Sequence, residues 1–308
     1  MDSLQENSSE KTRSRSVTLG VGVVLTFLII AGLVIGVLAL PQPENIAFRS
    51  YSDFEAWDPE LKTIGAQEPY LIDLTTISAL DNSVIAQMDA EFELQKLKEL
   101  KPLRNEQIDA AVLATNESIF NAPFVGDRPL ESVLNGVRYP RSRALLEEIL
   151  HDVRIAVIRE KERYDIARPA QHDLSIQPTV ETSQSPSFPS LPAAEAHLAY
   201  LLLTELDPQN AATYAVGADS VARRTHISGT NFENDSVYAR HIAQKVYDQI
   251  SSDERFLTLL DEVKIEWEVQ ADAIPPENMD EFTPEQLELL QQQTAESALS
   301  PADVEPEL

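Results

Sequence analysis

The 308-residue chain contains no cysteine. That excludes disulfides, thiolate nucleophiles, zinc-finger sites and iron–sulfur clusters. Glycine is scarce, at 9 residues against about 22 expected at average usage. So few glycines argue against dinucleotide-binding folds, phosphate-binding glycine loops and turn-rich β folds, and in favour of helices. Basic residues are also few. Lys and Arg number 24 against 51 Asp and Glu, a formal charge of −27. A nucleic-acid binder needs the opposite balance to neutralise phosphates, so DNA and RNA are excluded as partners.

What is present begins with a long uncharged run. Residues 17–40 (VTLGVGVVLTFLIIAGLVIGVLAL) carry no charged side chain. At about 1.5 Å per residue they are long enough to cross a hydrocarbon core of about 30 Å. Lys11, Arg13 and Arg15 precede them, and the first basic residue afterwards is Arg49. The positive-inside bias predicts a single-pass inner or plasma membrane protein, with a cytoplasmic N-terminus and an extracytoplasmic main domain, periplasmic in a Gram-negative cell. The competing reading, a cleaved signal peptide ending near Val37 and Ala39, requires an apolar core longer than signal peptides carry.

Pattern and punctuation then divide the chain into a cytoplasmic segment 1–16, the transmembrane anchor 17–40, a stalk and lead-in 41–83, a helical domain 84–271 and an acidic tail 272–308. Residues 41–58 read as an extended stalk with aromatic anchors. Ile85, Met88, Phe92, Leu94, Leu97 and Leu100 recur at helical spacing, with Pro102 as the stop and a second helix over about 105–115. Residues 121–140 read as a loop with a short helix. A long amphipathic helix is expected from Ser142 to about Tyr164, with Leu145, Leu146, Ile149, Leu150, Val153, Val157 and Ile158 as its buried stripe. Residues 169–192 form a Pro- and Ser-rich loop. Helices come next over about 193–206, 209–226, 235–250 and 252–271, the last with Phe256, Leu257, Leu259, Leu260, Val263 and Ile265 on its apolar side. The tail holds ten acids and no Lys or Arg, a solvated segment whose protein partner the sequence does not name. Thr283-Pro284-Glu285-Gln286 reads as a helix start within it. No His-x3-His pair exists, and no metal site is expected. Asp165 and Glu162 read as surface ion partners of Lys161.

Lys161 and Arg168-Pro169 form K-x6-R-P at the end of the long helix, two cations on neighbouring backbone that could cradle a phosphate. Ser187-Phe188-Pro189-Ser190-Leu191-Pro192 comes next and opens an Ala-rich helix. A further helix ends in Arg223-Arg224-Thr225-His226, then Gly229-Thr230-Asn231-Phe232-Glu233-Asn234-Asp235, with Ala239-Arg240 beyond. This order over residues 84–262 resembles the phosphatidic acid phosphatase type 2 and vanadium haloperoxidase superfamily, and in style its bacterial class A acid phosphatases, whose pattern is K-x6-R-P, P-S-G-H and S-R-x5-H-x3-D. The resemblance implies an all-α helical bundle and a phosphate site, with vanadate or phosphate as an occupant and no other cofactor. In such enzymes the third motif's His attacks phosphorus, the Asp orients it and the second motif's His protonates the leaving oxygen. The cations, the Ser and the Gly amide hold the phosphoryl oxygens.

The departures are chemical. Lys161, Arg168 and Pro169 agree with the first motif, and Pro189 and Ser190 with the second. Leu191 stands where Gly is expected and Pro192 where the acid His is expected. Two registers compete for the third motif. One aligns Gly229, Phe232, Asp235, Ala239 and Arg240, which puts Asn231 at the nucleophile, Thr225 at the arginine and Arg224 one place early. The other puts His226 at the nucleophile, with Asp219, Ser220 and Thr230 at the Ser, Arg and Asp positions. Asn cannot form a phosphoramidate, and Pro192 has no proton to give. The expected phosphate-binding residues are Lys161, Arg168, Ser190 and Arg224. The candidate catalytic residues are Asp235, His226 and His197, with His226 as a substitute nucleophile and His197 as a substitute acid. The functions implied are an oxyanion-binding domain that has lost most or all phosphomonoesterase activity, or alternatively an acid-phosphatase-like hydrolase recruiting His226 or His197. A third reading is a structural bundle whose motif match is coincidental.

Overall fold

The computed structural model describes residues 47–77, 88–106, 118–126 and 128–273. The chain divides into units 1–45 and 46–308, and the described residues belong to the second. The expected anchor at 17–40, the helix start at Thr283 and nearly all of the acidic tail lie outside them. Among the described residues no helix is long and apolar enough to cross a membrane.

The described part is mostly helical. In chain order the helices are α1 (Pro59–Gly65), α2 (Leu74–Ile77), α3 (Ala90–Glu99), α4 (Lys101–Glu106), α5 (Leu130–Val133), α6 (Pro140–Tyr164), α7 (Pro169–His172), α8 (Leu191–Leu206), α9 (Ala211–Ile227), α10 (Glu233–Ile250) and α11 (Glu254–Ala273). One small antiparallel hairpin, β1 (Pro123–Val125) and β2 (Arg128–Pro129), interrupts the helices. It falls inside the segment expected to be loop with a short helix, and α5 is that helix. Strands this short are too brief to show alternation in sequence.

Helix α8 is the centre, packed against α9, α10 and α6. Its sequence, LPAAEAHLAYLLLTEL, is apolar almost all round, the mark of a helix surrounded by others. Ala193, Ala194, Ala196 and Ala199 are fully buried, and their small side chains let neighbouring helices approach. The 25-residue helix α6 presents Leu145, Leu146, Ile149, Leu150, Val153 and Val157 to this core, at three- and four-residue spacing. Helix α11 turns its face differently from the expected one. Phe256, Leu260 and Val263 are buried, while Leu257 and Ile265, counted in the apolar stripe, point outward at 44 % and 58 % exposure. Pro102 does not stop the chain's helical course: α4 restarts around it, because a proline in a first turn removes no intrahelical bond.

Two helix ends position the loops around the candidate site. Helix α6 ends on Asp165, held in the left-handed region at φ 50°. Its carboxylate accepts from Ser52 N (3.2 Å), Ser52 Oγ (3.1 Å), Trp57 Nε1 (3.3 Å) and Ser50 Oγ. Asp165 is therefore a hydrogen-bond hub for residues 50–57, and none of these partners is Lys161. Tyr51 and Trp57 are buried against Ile158 of α6 beside it. Two residues past the end of α9 stands Gly229, whose φ of 78° suits a residue without Cβ. The buried Arg104 closes that end by donating from Nε to Ile227 O at 2.8 Å, and from Nη2 to Leu97 O at 3.1 Å.

Candidate oxyanion site

Four separate chain segments meet behind the N-terminus of α8. Lys161 comes from the last turn of α6, and Arg168 stands at the N-cap of α7, where Pro169 opens the next helix. The loop between α7 and α8 is irregular, as expected, but its second half is interior: Ser185, Ser187, Phe188 and Ser190 are buried. Ser190 N donates to Asp235 O at 3.0 Å, which ties the start of α8 to the start of α10. Asp235 lies in the first turn of α10. Its Oδ2 accepts from Phe232 N at 2.8 Å and from Asn231 Nδ2 at 3.2 Å. An acidic side chain there satisfies an otherwise orphaned amide and suits the positive end of the helix.

The two cations are held by main chain. Lys161 Nζ donates to Pro186 O (2.5 Å) and Ser187 O (3.2 Å). Arg168 Nε donates to Ser183 O (3.0 Å) and Ser185 O (2.8 Å), Nη1 to Thr230 O (3.0 Å) and Nη2 to Ser185 Oγ (3.2 Å). Asn231 Nδ2 shares the Ser187 carbonyl at 2.7 Å. An ammonium carries three N–H bonds and a guanidinium five, so one on Lys161 and two on Arg168 still lack an acceptor. Ser190 Oγ and Asp235 Oδ1 are likewise buried without a partner.

The electrostatics are lopsided. Lys161, Arg168 and Asp235 are all buried, two cations against one carboxylate. Burial and then the neighbouring Arg168 hold the Lys161 ammonium well below its ordinary pKa, with Asp235 opposing. Burial pushes Arg168 down to about 10, again with Asp235 opposing. Burial raises Asp235, and the Phe232 amide and Lys161 pull it back. Chemically this centre can hold an anion. Among the described residues no imidazole is hydrogen-bonded to Lys161, Arg168 or Asp235, although His172 of α7 packs on Phe232 nearby, and the Asn231 carboxamide is no nucleophile toward phosphorus.

The remaining candidates lie elsewhere. Arg224 donates from Nη1 to Pro123 O at 3.2 Å, toward the hairpin. His226 lines a separate cavity between α3, α9 and α10. His197 is half-buried in α8, its ring 5.3 Å from that of Tyr200, with Gln244 as a hydrogen-bond partner. Neither histidine is among the charges acting on Lys161, Arg168 or Asp235. Among the described residues no cluster of three or more His, Cys, Asp or Glu could hold a metal ion. Ser183, Ser185 and Thr230 hold Arg168 and are not among the binding residues expected from sequence. Three of their contacts use carbonyl oxygens, which every residue owns and no motif marks.

His226 gives a pH dependence. Burial holds its imidazole down at about 4, while Glu233 favours the cation and Lys96, Arg104 and Arg223 oppose it. Between that value and about 6.5 the unfolded chain binds a proton that the folded chain refuses, so this contribution to stability is complete above pH 6.5 and lost as pH falls toward 4. Urea titrations at pH 6.5 and 4.5 should show the wild type losing about 2 kcal/mol more than His226→Gln. Parallel losses would show that His226 titrates normally in the folded state.

No family model matches the chain. No curated protein matches it either. Among solved structures, a bacterial vanadium-dependent iodoperoxidase is similar at a TM-score of 0.46 and 14 % identity, over 70 % of this chain. The chain spans 63 % of that protein's length.

Proposed function

We propose that this is a non-hydrolysing, oxyanion-binding domain related to the type 2 phosphatidic acid phosphatases and haloperoxidases. The observation that carries the reading is the buried pair Lys161 and Arg168, with Asp235 as the carboxylate set against both and N–H groups to spare. A tetrahedral oxyanion supplies the missing negative charge and acceptors for those donors and for Ser190 Oγ. The K-x6-R-P motif and the placement of Asn231 beside Asp235 agree with a phosphate site whose nucleophile has been replaced. His226 and His197 lie away from it, which supports lost turnover. The net charge of −27 slows the approach of anions, which suits a binding domain better than a fast scavenging hydrolase. We further place the domain outside the cytoplasm on the anchor at 17–40, which rests on that uncharged run and the basic residues before it.

A second reading has its own support. Main-chain oxygens of 183, 185, 186, 187 and 230 already surround the cations. On this reading Lys161 and Arg168 pin the Ser-rich loop, and no anion enters.

One experiment separates these. The full chain, recovered from the membrane fraction, is titrated with vanadate and phosphate by ⁵¹V and ³¹P NMR, and assayed with an aryl phosphate from pH 4 to 8. The expected result is saturable binding, weakened at least tenfold in both Lys161→Ala and the milder Arg168→Lys, with no turnover. Folded wild-type protein that binds neither anion establishes the loop-pin reading. Turnover abolished by His226→Gln or His197→Gln overturns both readings in favour of hydrolysis.

A further inference from the structure

The cavity that His226 lines has a volume of about 570 Å³, within the range of sites that enclose small molecules. Lys161, Arg168, Ser190 and Asp235 do not line it, so it is distinct from the buried centre. Three cations, Lys96, Arg223 and Arg240, face three carboxylates, Glu99, Asp219 and Glu233. Four of these six are already matched: Lys96 Nζ lies 2.8 Å from Glu233, and Arg240 Nη1 lies 2.7 Å from Asp219. The other two are not. Among the described residues Arg223 has no ion pair, and Glu99 accepts only from the neutral amide of Gln95, at 3.2 Å.

The cavity therefore offers one unmatched charge of each sign. Two buried polar atoms without partners sit among the same lining residues, Arg240 Nε and His226 Nε2. Leu100, Ile227 and Val237 supply apolar wall. A purely anionic ligand on Arg223 would leave Glu99 unmatched in the same cavity, and a purely cationic ligand on Glu99 would do the same to Arg223. A molecule carrying both charges close together matches both. We propose that this cavity binds a small zwitterion of the α-amino-acid class, its carboxylate held by Arg223 and Arg240 Nε–H, its ammonium by Glu99, and its side chain by the apolar wall.

The probe is L-leucine, titrated into the purified full chain by saturation-transfer NMR and calorimetry beside N-acetyl-L-leucine, which lacks the ammonium, and L-leucinamide, which lacks the carboxylate. The expected result is saturable leucine binding, at least tenfold weaker for either blocked form. Arg223→Gln and Glu99→Gln should each weaken leucine at least tenfold with unchanged melting, because both side chains are exposed. Lys161→Ala, where it remains folded, should leave leucine binding in place. No saturable binding of leucine to the wild type overturns the proposal. So does equal binding of either blocked form, or leucine affinity unmoved in both cavity variants.

Discussion

Asp235→Ala should cost the domain about 3–5 kcal/mol, the usual loss when one partner of a buried charge set is removed. The substitution leaves Lys161 and Arg168 in the interior with no buried carboxylate, and of the carboxylates only the exposed Glu55 still favours the Arg168 cation. It also deprives Phe232 N and Asn231 Nδ2 of their acceptor at the start of α10. A domain of this size should then melt about 6–20 °C lower. Asp235→Asn keeps an acceptor for Phe232 N and removes only the charge, so it should lose less. Differential scanning calorimetry of the three proteins decides. An Asp235→Ala midpoint within about 2 °C of wild type would mean that the centre tolerates its cations without the Asp235 carboxylate, so that no charge imbalance calls for an anion. The case for an anion there would go with it.

Gly217→Ala should destabilise by about 3 kcal/mol, although alanine is the better helix former. Gly217 lies in the interior of α9, where the exchange alone would stabilise by about 0.5–1 kcal/mol. Here, however, a Cβ would stand 2.0 Å from Phe124 O and 2.9 Å from Phe124 C. Those are backbone atoms of β1, which α9 packs against, so no side-chain rotation relieves the clash. Either the hairpin lifts or the helix shifts, and Phe124, fully buried, loses its seat. Gly136→Ala is the control. Its Cβ would meet Arg143 Cγ at an ordinary 3.7 Å, and its effect should stay within about 0.5 kcal/mol. Urea midpoints for the pair test this, and a Gly217→Ala protein as stable as wild type would show that the hairpin can move freely.

The long elements were legible because their signals are redundant. The stripe of α6 repeats turn after turn, and the observed helix, Pro140–Tyr164, begins two residues before the expected Ser142. The Ala-rich run of α8 and the helices α9 and α10 lie within about two residues of their expected bounds. The resemblance implied a common centre for Lys161, Arg168, Ser190 and Asp235, and the described residues place these four and Asn231 near one another. What the spacing could not tell is how the cations are satisfied. Carbonyl oxygens carry no side-chain signature, so a lysine aimed at a phosphate and a lysine aimed at Pro186 O read alike. The zwitterion cavity was illegible for another reason. Lys96, Arg223 and Arg240 lie on three separate helices, and each alone is an ordinary surface charge. Gly217 and Arg104 were equally silent, since each meets a neighbour more than 90 residues away.

The hub at Asp165 has a mechanical consequence. Ser50 and Ile166 form an isolated antiparallel bridge, with Tyr51 N donating to Asp165 O at 2.6 Å and Ala167 N to Arg49 O at 2.8 Å. The side-chain bonds of Ser50, Ser52 and Trp57 to the Asp165 carboxylate gather at the same place. A pull entering the described chain near residue 47 meets first Phe48, packed edge-on against His172 and Phe232, and then this knot. The knot sits four residues past Lys161 and three before Arg168. A tug on the leading segment is thus shared between the aromatic seat of Phe48 and the short link that joins the two buried cations.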